Sequence, residues 1–152
     1  MIFAITLEGS EELVGVLELE VNATHKRGGL GYWLGREYRG KGIMREAVSI
    51  LIDHTFRELD LIKISTGVFS KNQPSIKLLE RLGFSCEGML RKHIVRDGQP
   101  VDVFAYGLLR VALLRSLRTS PRPRKEKRGG SLGYFFLIFF SGEKTWTSRA
   151  VL

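Results

Sequence analysis

The chain has 152 residues, 43% of them hydrophobic, which is enough for one packed domain and too few for two ordinary ones. Its net charge of +8 comes entirely from the C-terminal segment: residues 1–109 hold 14 basic and 14 acidic side chains, whereas residues 110–152 hold 10 basic and 2 acidic ones. The charge therefore gives no reason to expect nucleic-acid binding by the folded domain. A single cysteine excludes an intramolecular disulfide. The sequence shows neither a secretion signal nor an apolar run of the ~20 residues that cross a bilayer, so we expect a cytoplasmic protein with no transmembrane segment.

The first 34 residues predict three antiparallel strands. Residues 2–7 and 13–21 have the apolar or alternating pattern of strands, and a polar turn with Gly9 and Ser10 separates them. Gly28 and Gly29 then lead into a third strand, which ends at Leu34. Because short connections join antiparallel neighbours, these strands are expected to form a meander.

A long amphipathic helix is predicted next, over residues 42–59. Its apolar residues recur at helical spacing and its polar residues lie on the opposite side, so one face should pack on the sheet. Residues 61–69 are rich in β-branched side chains and predict the following strand. Since a helical crossover joins this strand to the one that ends at Leu34, the two should be parallel.

The turn between the third strand and this helix has the composition of an anion-binding turn. Gly40 and Gly42 lie where the strand passes into the helix N-terminus. The first N–H groups of a helix have no partner within it and carry the positive end of its dipole, so they suit a phosphate group. Ile43 follows Gly42, which excludes the Lys-Ser/Thr ending of a nucleotide P-loop, and the three-glycine dinucleotide fingerprint is also absent.

A second, shorter helix is predicted over residues 72–83. Asn72 suits the N-cap, Pro74 the first turn and Gly83 a left-handed position at the C-terminus. A hairpin follows, with strands at residues 90–95 and 101–109 and with Asp97 and Gly98 favouring a type I′ turn. Basic residues and prolines accumulate beyond residue 110, so residues 111–152 are expected to be a basic tail, disordered or foreign to the domain at residues 1–110.

These motifs, in this order, resemble the GNAT superfamily of acetyltransferases. Arg39-x-x-Gly42-x-Met44 is similar to that family's Arg/Gln-x-x-Gly-x-Gly/Ala signature, and the helix that opens with Asn72-x-x-Ser75 is similar to its next motif. The subgroup most resembled, over roughly residues 3–110, is the ribosomal-protein N-terminal (Rim-type) acetyltransferases. The resemblance implies an α/β (α+β) fold with a mixed, mainly antiparallel sheet flanked by helices, and a central parallel strand pair splayed around the cofactor.

The same resemblance implies acetyl-CoA as the acetyl donor, with no metal. The N–H groups of the turn would bind its pyrophosphate, Leu34 N–H would meet the acetyl carbonyl, Asn72 would bond the cofactor arm, and Ser75 would reprotonate the leaving thiolate. The implied catalytic residues are therefore Ser75 and Leu34. The implied cofactor-binding residues are Leu34, Arg39, Gly40, Lys41, Gly42, Ile43, Met44, Asn72 and Ser75. A plain capping role stays open for Asn72 and Ser75.

Departures from the family bear on catalysis. The strand and helix pair that usually open the domain and build part of the acceptor pocket are expected to be missing, which would uncover apolar sheet and favour a homodimer. Position 79 holds a leucine where many relatives place a tyrosine general acid, so that mechanism is excluded. The general base stays open among four carboxylates, each able to act through a water: Glu18, Glu20, Glu37 and Glu87.

Other side chains capable of chemistry carry weaker signals. Cys86 has no activating neighbour in the sequence and is expected to be a packed thiol. The three histidines, His25, His54 and His93, have no spacing typical of a metal site. Aromatic residues in strands usually belong to the core, but three of them are candidates for the acceptor side: Tyr32, Trp33 and Tyr106.

Three functions stay open on this basis. The first is an acetyl-CoA-dependent N-acetyltransferase for a primary amine, most like the N-terminal amine of a protein. The second is a small-molecule acetyltransferase for polyamines or aminoglycosides, which a strongly acidic acceptor cleft would favour. The third belongs to another class: a binding module with a vestigial core, whose basic tail contacts RNA or an anionic membrane.

Overall fold

The computed structural model describes residues 1–7, 9–111, 136–141 and 144–149. Across these ranges the chain forms a mixed sheet, two α-helices and a short 3-10 helix at Arg36–Tyr38. The α-helices are α1, Ile43–Glu58, and α2, Gln73–Arg81. The strands are β1 Ile2–Thr6, β2 Gly15–Asn22, β3 Arg27–Leu34, β4 Lys63–Phe69, β5 Ser85–Arg96, β6 Gln99–Leu109, β7 Phe136–Ser141 and β8 Lys144–Arg149.

The sheet has the strand order β5-β6-β4-β3-β2-β1-β7-β8. Among the described strands, β3 and β4 are parallel and every other neighbouring pair is antiparallel. The parallel pair is the one joined through α1, as a helical crossover requires. The predicted fold class, a mixed and mainly antiparallel sheet flanked by helices, is confirmed.

The core lies between the helices and one face of the sheet. Along α1 the buried side chains recur at helical spacing, and α2 adds Ile76 and Leu79. From the sheet, alternate residues of each strand face the helices, including Leu17 and Leu19 on β2 and Ile64 on β4, all of them 1% exposed or less. Burying each such side chain stabilises the fold by about 1.5–3 kcal/mol relative to exposure.

The opposite face of the central strands carries small and charged residues. Glu18 and Glu20 on β2 pair across the sheet with Gly31 and Gly29 on β3. These residues alternate with the buried ones because successive side chains of a strand point to opposite faces. No described helix covers this side, which we call the open face.

The turns follow the predicted chemistry. Asp97 and Gly98 have φ values of 51° and 72° and join strands paired from Arg96 to Gln99, which is the two-residue loop expected of a type I′ turn. Gly83 has φ +87° after α2, as predicted for a left-handed C-terminal position. The hairpin strand β5 begins earlier than expected, at Ser85, and contains two irregularities.

The C-terminal region holds two strands that the sequence did not indicate. β7 pairs antiparallel with β1, and β8 pairs antiparallel with β7. An outermost strand leaves a row of main-chain donors and acceptors free, which a further strand can bond, and β1 is such a strand in the meander. The basic, proline-rich stretch predicted to be disordered falls within residues 112–135, outside the described residues. None of the helices in the described part of the chain combines the length and apolar character needed to cross a membrane.

Candidate active site

The site begins where the two parallel strands part. Pairing between β3 and β4 comprises three residue pairs and ends at Gly29 opposite Ser65. Both strands continue beyond that point, β3 to Leu34 and β4 to Phe69, without pairing to each other. The result is a wedge-shaped opening in the centre of the sheet, which we call the slot.

Main-chain groups of β3 point into the slot. Gly35 N–H donates to the Val14 carbonyl at 2.9 Å, which makes these two a bonded pair of the β2–β3 ladder. Bonded and non-bonded pairs alternate in an antiparallel ladder, and β2 and β3 keep one register throughout. The N–H and C=O groups of Tyr32 and Leu34 therefore point away from β2 and toward the slot.

The same reasoning applies to the other side of the slot. Ser70 N–H donates to the Asp102 carbonyl at 3.0 Å, which identifies the residues of β4 that bond to β6. By alternation, the main-chain groups of Gly67 and Phe69 point toward β3. Two strand segments thus face each other without pairing. The Phe69 carbonyl accepts from Asn72 N–H at 2.8 Å, but the other groups along these edges have no partner across the slot, so an extended, amide-containing molecule can bond to both strands.

The glycine turn between β3 and α1 presents free amides to solvent. Gly40 and Gly42 have φ values of 75° and 85°, and the space where a Cβ would stand is open at both. No side chain caps α1, and its first hydrogen bond runs from Glu46 N–H to the Gly42 carbonyl, at 3.1 Å. The N–H groups of residues 40–45 make no hydrogen bond to the described part of the chain. They form the anion-binding arrangement expected at a helix N-terminus.

One member of the predicted turn has to be corrected. Arg39 N–H donates to the Arg36 carbonyl at 3.3 Å and closes the 3-10 helix, so this amide is not free for a ligand. The Arg39 side chain also has a partner, since its Nε donates to the Leu34 carbonyl at 3.1 Å. Met44, which departs from the family's small residue, is 8% exposed and packs in the core. Its bulk therefore lies away from the open side of the turn.

Helix α2 places its N-terminal residues close to the slot, because it follows β4 directly. The Asn72 side chain caps the helix, with Oδ1 accepting from Ser75 N–H at 3.3 Å. The capping alternative is thus observed for Asn72, and its Nδ2 is left for another partner. Leu79 is fully buried, so the position that holds a tyrosine in many relatives faces the core here.

Tyr32 reaches the same region from β3. It lies opposite Leu17 in the ladder, so its side chain is on the helix face of the sheet. Its hydroxyl is buried and makes no hydrogen bond of regular geometry to the described residues. Burial raises the pKa of Tyr32, an effect that the neighbouring Ser75 side chain opposes. The two hydroxyl groups therefore lie close together beside the slot.

The other two aromatic candidates, Trp33 and Tyr106, lie on opposite faces of the sheet. Trp33 is on the open face and 54% exposed, in agreement with an acceptor-side position. Tyr106 is buried on the helix face and donates to Glu80 Oε1 at 3.2 Å. Burial is the larger cause that raises the pKa of Tyr106, and the bond to Glu80 adds to it. Tyr106 is thus a core residue with a satisfied hydroxyl.

A cavity of about 600 Å³ lies on the open face, next to the slot. Three of the four carboxylates considered as general bases line it: Glu18, Glu20 and Glu87. Glu18 and Glu20 extend over the glycines of β3, where a Cβ on Gly31 would lie 3.6 Å from Glu18 Oε2. Because Gly29 and Gly31 have no side chains, nothing at these two positions of β3 separates the carboxylates from the slot.

The remaining carboxylates are less suited to act as a base. Glu87 forms an ion pair with Lys63, with Oε2 2.6 Å from Nζ. Glu37 belongs to the 3-10 helix and does not line the cavity. Glu18 and Glu20 form no ion pair with the described residues, which leaves both carboxylates able to interact with a ligand in the cavity.

The remaining reactive side chains lie apart from one another. His25 is in the β2–β3 turn, His54 is on the exposed side of α1, and His93 lines the cavity. In the described residues, no three His, Cys, Asp or Glu side chains come together as metal ligands. The prediction that Cys86 is a packed thiol is wrong, since Cys86 is exposed on β5, the strand at one end of the sheet.

Comparison with known proteins agrees with this geometry. The family model described as "Acetyltransferase (GNAT) domain" matches residues 1–85, more than half of the chain. An uncharacterized N-acetyltransferase of Bacillus licheniformis, p20, is 38% identical over 109 residues, which cover 71% of this chain and 61% of p20. The chain thus spans about three fifths of the length of this curated relative.

Two solved structures resemble the fold. Ribosomal-protein-S5-alanine acetyltransferase from Vibrio fischeri matches with a TM-score of 0.62 and 32% identity, over 64% of this chain and 55% of that one. The dodecameric spermidine N-acetyltransferase from Vibrio cholerae matches with a TM-score of 0.66 and 30% identity, over 72% of this chain and 64% of that one. Relatives with different acceptors are thus similar to this chain to about the same degree.

Proposed function

This chain belongs to the GNAT acetyltransferase family, and from that premise we propose that it transfers the acetyl group of acetyl-CoA to a primary amine. The observation that carries the proposal is the pair of features at the centre of the sheet: a slot between two parallel strands that stop pairing with each other, and a turn with free amides beside it. The machinery lies within residues 1–110, and residues 111–152 have no assigned part in it.

Donor binding follows from the two features together. The pyrophosphate binds at the turn, where the amides of residues 40–44 and the dipole of α1 favour an anion, and where Lys41 is exposed. The pantetheine arm, which contains two amide groups, extends along the slot and bonds to β3 and β4 in the manner of an added strand. Asn72 Nδ2 is available as a further donor to this arm.

Transfer itself requires a neutral amine and a stabilised oxyanion. The amine nitrogen attacks the thioester carbonyl, a C–N bond forms, and the negative charge on the carbonyl oxygen is held by Leu34 N–H. The C–S bond then breaks, and the thiolate takes a proton from the Ser75 hydroxyl, which regains a proton from water at the same time. The proton lost by the amine passes to Glu18 or Glu20, directly or through a water.

The acceptor is proposed to enter from the open face. The carboxylates of the cavity attract a cationic amine, and Trp33 offers an apolar surface at its side. A protein N-terminal amine fits this entry because it carries one positive charge on an extended chain. Self-association through the open face is a further proposal, which a molar-mass measurement in solution can test.

The acidity of the cavity favours a second acceptor class, the polyamines. Glu18 and Glu20 are not paired with basic side chains of the described chain, so two charges are left for the acceptor. A polyamine carries several ammonium groups and gains more from such a surface than a peptide with a single one. The two classes therefore differ in how strongly they depend on these carboxylates.

Calorimetry with acetyl-CoA tests the donor site. The double variant Gly40→Asp/Gly42→Asp puts two negative charges in the turn and should abolish binding. Gly9→Asp/Gly98→Asp is the matched control, because those glycines also have positive φ and open space but lie in other turns. Binding by the parent that survives in the Gly40/Gly42 variant would show that the turn does not hold the phosphates.

Acetylation assays with spermidine and with an alanine-initiated peptide test the acceptor. If the acceptor is a polyamine, Glu18→Gln/Glu20→Gln should raise KM for spermidine far more than KM for the peptide. Glu37→Gln is the control, since this carboxylate lies outside the cavity. If the substitutions lower kcat equally with spermidine and with the peptide, these carboxylates would instead be assigned to proton transfer.

A further inference from the structure

The side chain of Arg39 joins the phosphate turn to the end of β3. Its Nε–H donates to the Leu34 carbonyl at 3.1 Å, across a partly buried contact. No carboxylate of the described residues pairs with this guanidinium. The main-chain oxygen of Leu34 is thus the polar partner that the folded chain provides for the Arg39 side chain.

The bond completes the restraint of one peptide unit. The carbonyl of the peptide that joins Leu34 to Gly35 accepts from Arg39, and the N–H of the same peptide donates to the Val14 carbonyl at 2.9 Å. A peptide unit is planar, so bonds at both of its ends fix its orientation. Because β3 and β4 no longer pair at Leu34, β4 offers no partner to the Leu34 carbonyl, and without Arg39 this carbonyl would accept hydrogen bonds from water only.

This restraint acts on the group assigned to the oxyanion. Leu34 N–H and Leu34 C=O belong to successive peptide units that share the Leu34 Cα, and both face the slot, so holding the carbonyl also fixes one end of the peptide unit that carries Leu34 N–H. Oxyanion stabilisation depends on donors that are already aligned before reaction. Resting on the function proposed above, we propose that Arg39 is a positioning residue: its Nε–H holds the Leu34 carbonyl so that Leu34 N–H faces the thioester carbonyl.

The proposal depends on the Nε–H donor of Arg39 and not on its positive charge, and substitutions can separate these two properties. Gln has a nitrogen at the same distance along the side chain as arginine Nε, so Arg39→Gln keeps the donor and removes the charge. Arg39→Lys keeps the charge but has carbon at that position, with its nitrogen one bond further out. Arg39→Met has a similar length and neither property. The three variants therefore form a matched set.

Steady-state kinetics with acetyl-CoA and an accepted amine distinguish the two properties. Arg39→Gln should keep kcat within about threefold of the parent, while kcat of Arg39→Lys and Arg39→Met should fall on the order of 10-fold or more, as expected when one oxyanion donor loses alignment. Lys41→Gln removes a neighbouring charge without touching Leu34 and should act on KM for acetyl-CoA. The proposal is overturned if kcat depends on the charge, so that Arg39→Lys has a kcat near that of the parent and Arg39→Gln a low one. It is also overturned if all three variants keep the kcat of the parent.

An NMR experiment gives a readout that requires no acceptor. In the 15N-labelled parent and in Arg39→Gln, the Leu34 amide resonance should shift when acetyl-CoA is added, and shift less with CoA, which lacks the acetyl carbonyl. In Arg39→Lys and Arg39→Met this difference between the two ligands should disappear. If the difference persists in Arg39→Met, Arg39 does not position Leu34. A parent that binds neither ligand at the glycine turn would instead refute the proposed function.

Discussion

At the scale of single residues, the role proposed for Ser75 depends on a neighbouring hydroxyl group, that of Tyr32. A serine hydroxyl is a weak acid, and a partner that can replace its proton makes donation to a thiolate easier. The Tyr32 hydroxyl lies next to Ser75, buried and without a regular hydrogen bond to the described residues. The ordinary pKa of a tyrosine, 10.0, already keeps the hydroxyl protonated at neutral pH, and burial raises the pKa of Tyr32 further.

Ser75→Ala should therefore lower kcat with little change in KM, by about 10- to 100-fold if Ser75 is the general acid. Stopped assays of CoA release at saturating acetyl-CoA measure this effect. Ser49→Ala, on the exposed side of α1, is the control for serine removal. An unchanged kcat in Ser75→Ala would leave this residue with a structural role at the start of α2.

Asn72 combines a structural contact with a proposed ligand contact, and the two can be separated. Asn72→Ala removes the cap and should destabilise the protein by about 1 kcal/mol. Asn72→Asp keeps the acceptor that caps Ser75 N–H but loses the Nδ2 donor, so the fold should stay as stable while the affinity for acetyl-CoA falls. Urea denaturation and calorimetry measure the two effects. Parent-like affinity in Asn72→Asp would assign Asn72 to capping alone.

At the scale of elements, Asp60 ties three of them together. It lies between α1 and β4, with Oδ2 2.8 Å from Lys26 Nζ in the β2–β3 turn and Oδ1 2.9 Å from Arg110 Nη1 after β6. The hydrogen bond from Lys26, followed by that from Arg110, lowers the pKa of Asp60 from its ordinary value near 3.8. A lowered pKa means that the stabilising contribution is present above this ordinary value and is lost as pH falls through the folded-state pKa.

Asp60→Asn should thus lower the melting temperature at neutral pH and have no effect in strong acid. Asparagine tolerates the φ of 48° at this position, so the substitution tests the charge and not the backbone. Since the side chains are exposed, the difference should be small and should shrink at high salt. Thermal melts over pH and salt measure it, and a difference that persists in strong acid would point to lost packing instead.

At the scale of the whole molecule, one core joins both helices to the central sheet. Leu79 of α2 is fully buried in the same cluster as Leu17 of β2 and Val48 of α1. Leu79→Ala should destabilise the entire fold by about 2–5 kcal/mol, because a cavity is added to the lost burial. Urea denaturation followed by circular dichroism and by fluorescence should show a single transition in parent and variant. Leu78→Ala, at a partly buried position of the same helix, should cost less.

Most of the fold could be predicted from local patterns in the sequence. The α1 stripe, the Asn72 cap, the left-handed Gly83 and the Asp97-Gly98 turn depend on residues within a few positions of one another, and all of them form as predicted. The strands β7 and β8 could not be read from the sequence because their place depends on an edge far away in the chain. The exposure of Cys86 follows from the place of β5 at one end of the sheet, where nearly all of its side chains are exposed, and strand order has no local signal in the sequence.

The sequence by itself determined the family and the existence of a glycine turn, since both follow from the identity and spacing of neighbouring residues. Only the tertiary structure decided which groups meet at the site. The end of strand pairing at Gly29 and the approach of Tyr32 to Ser75 depend on distant segments, and the contact of Arg39 with Leu34 depends on how the turn between them folds. Such contacts depend on register and on which face a side chain takes, and these are set when strands and helices pack against one another.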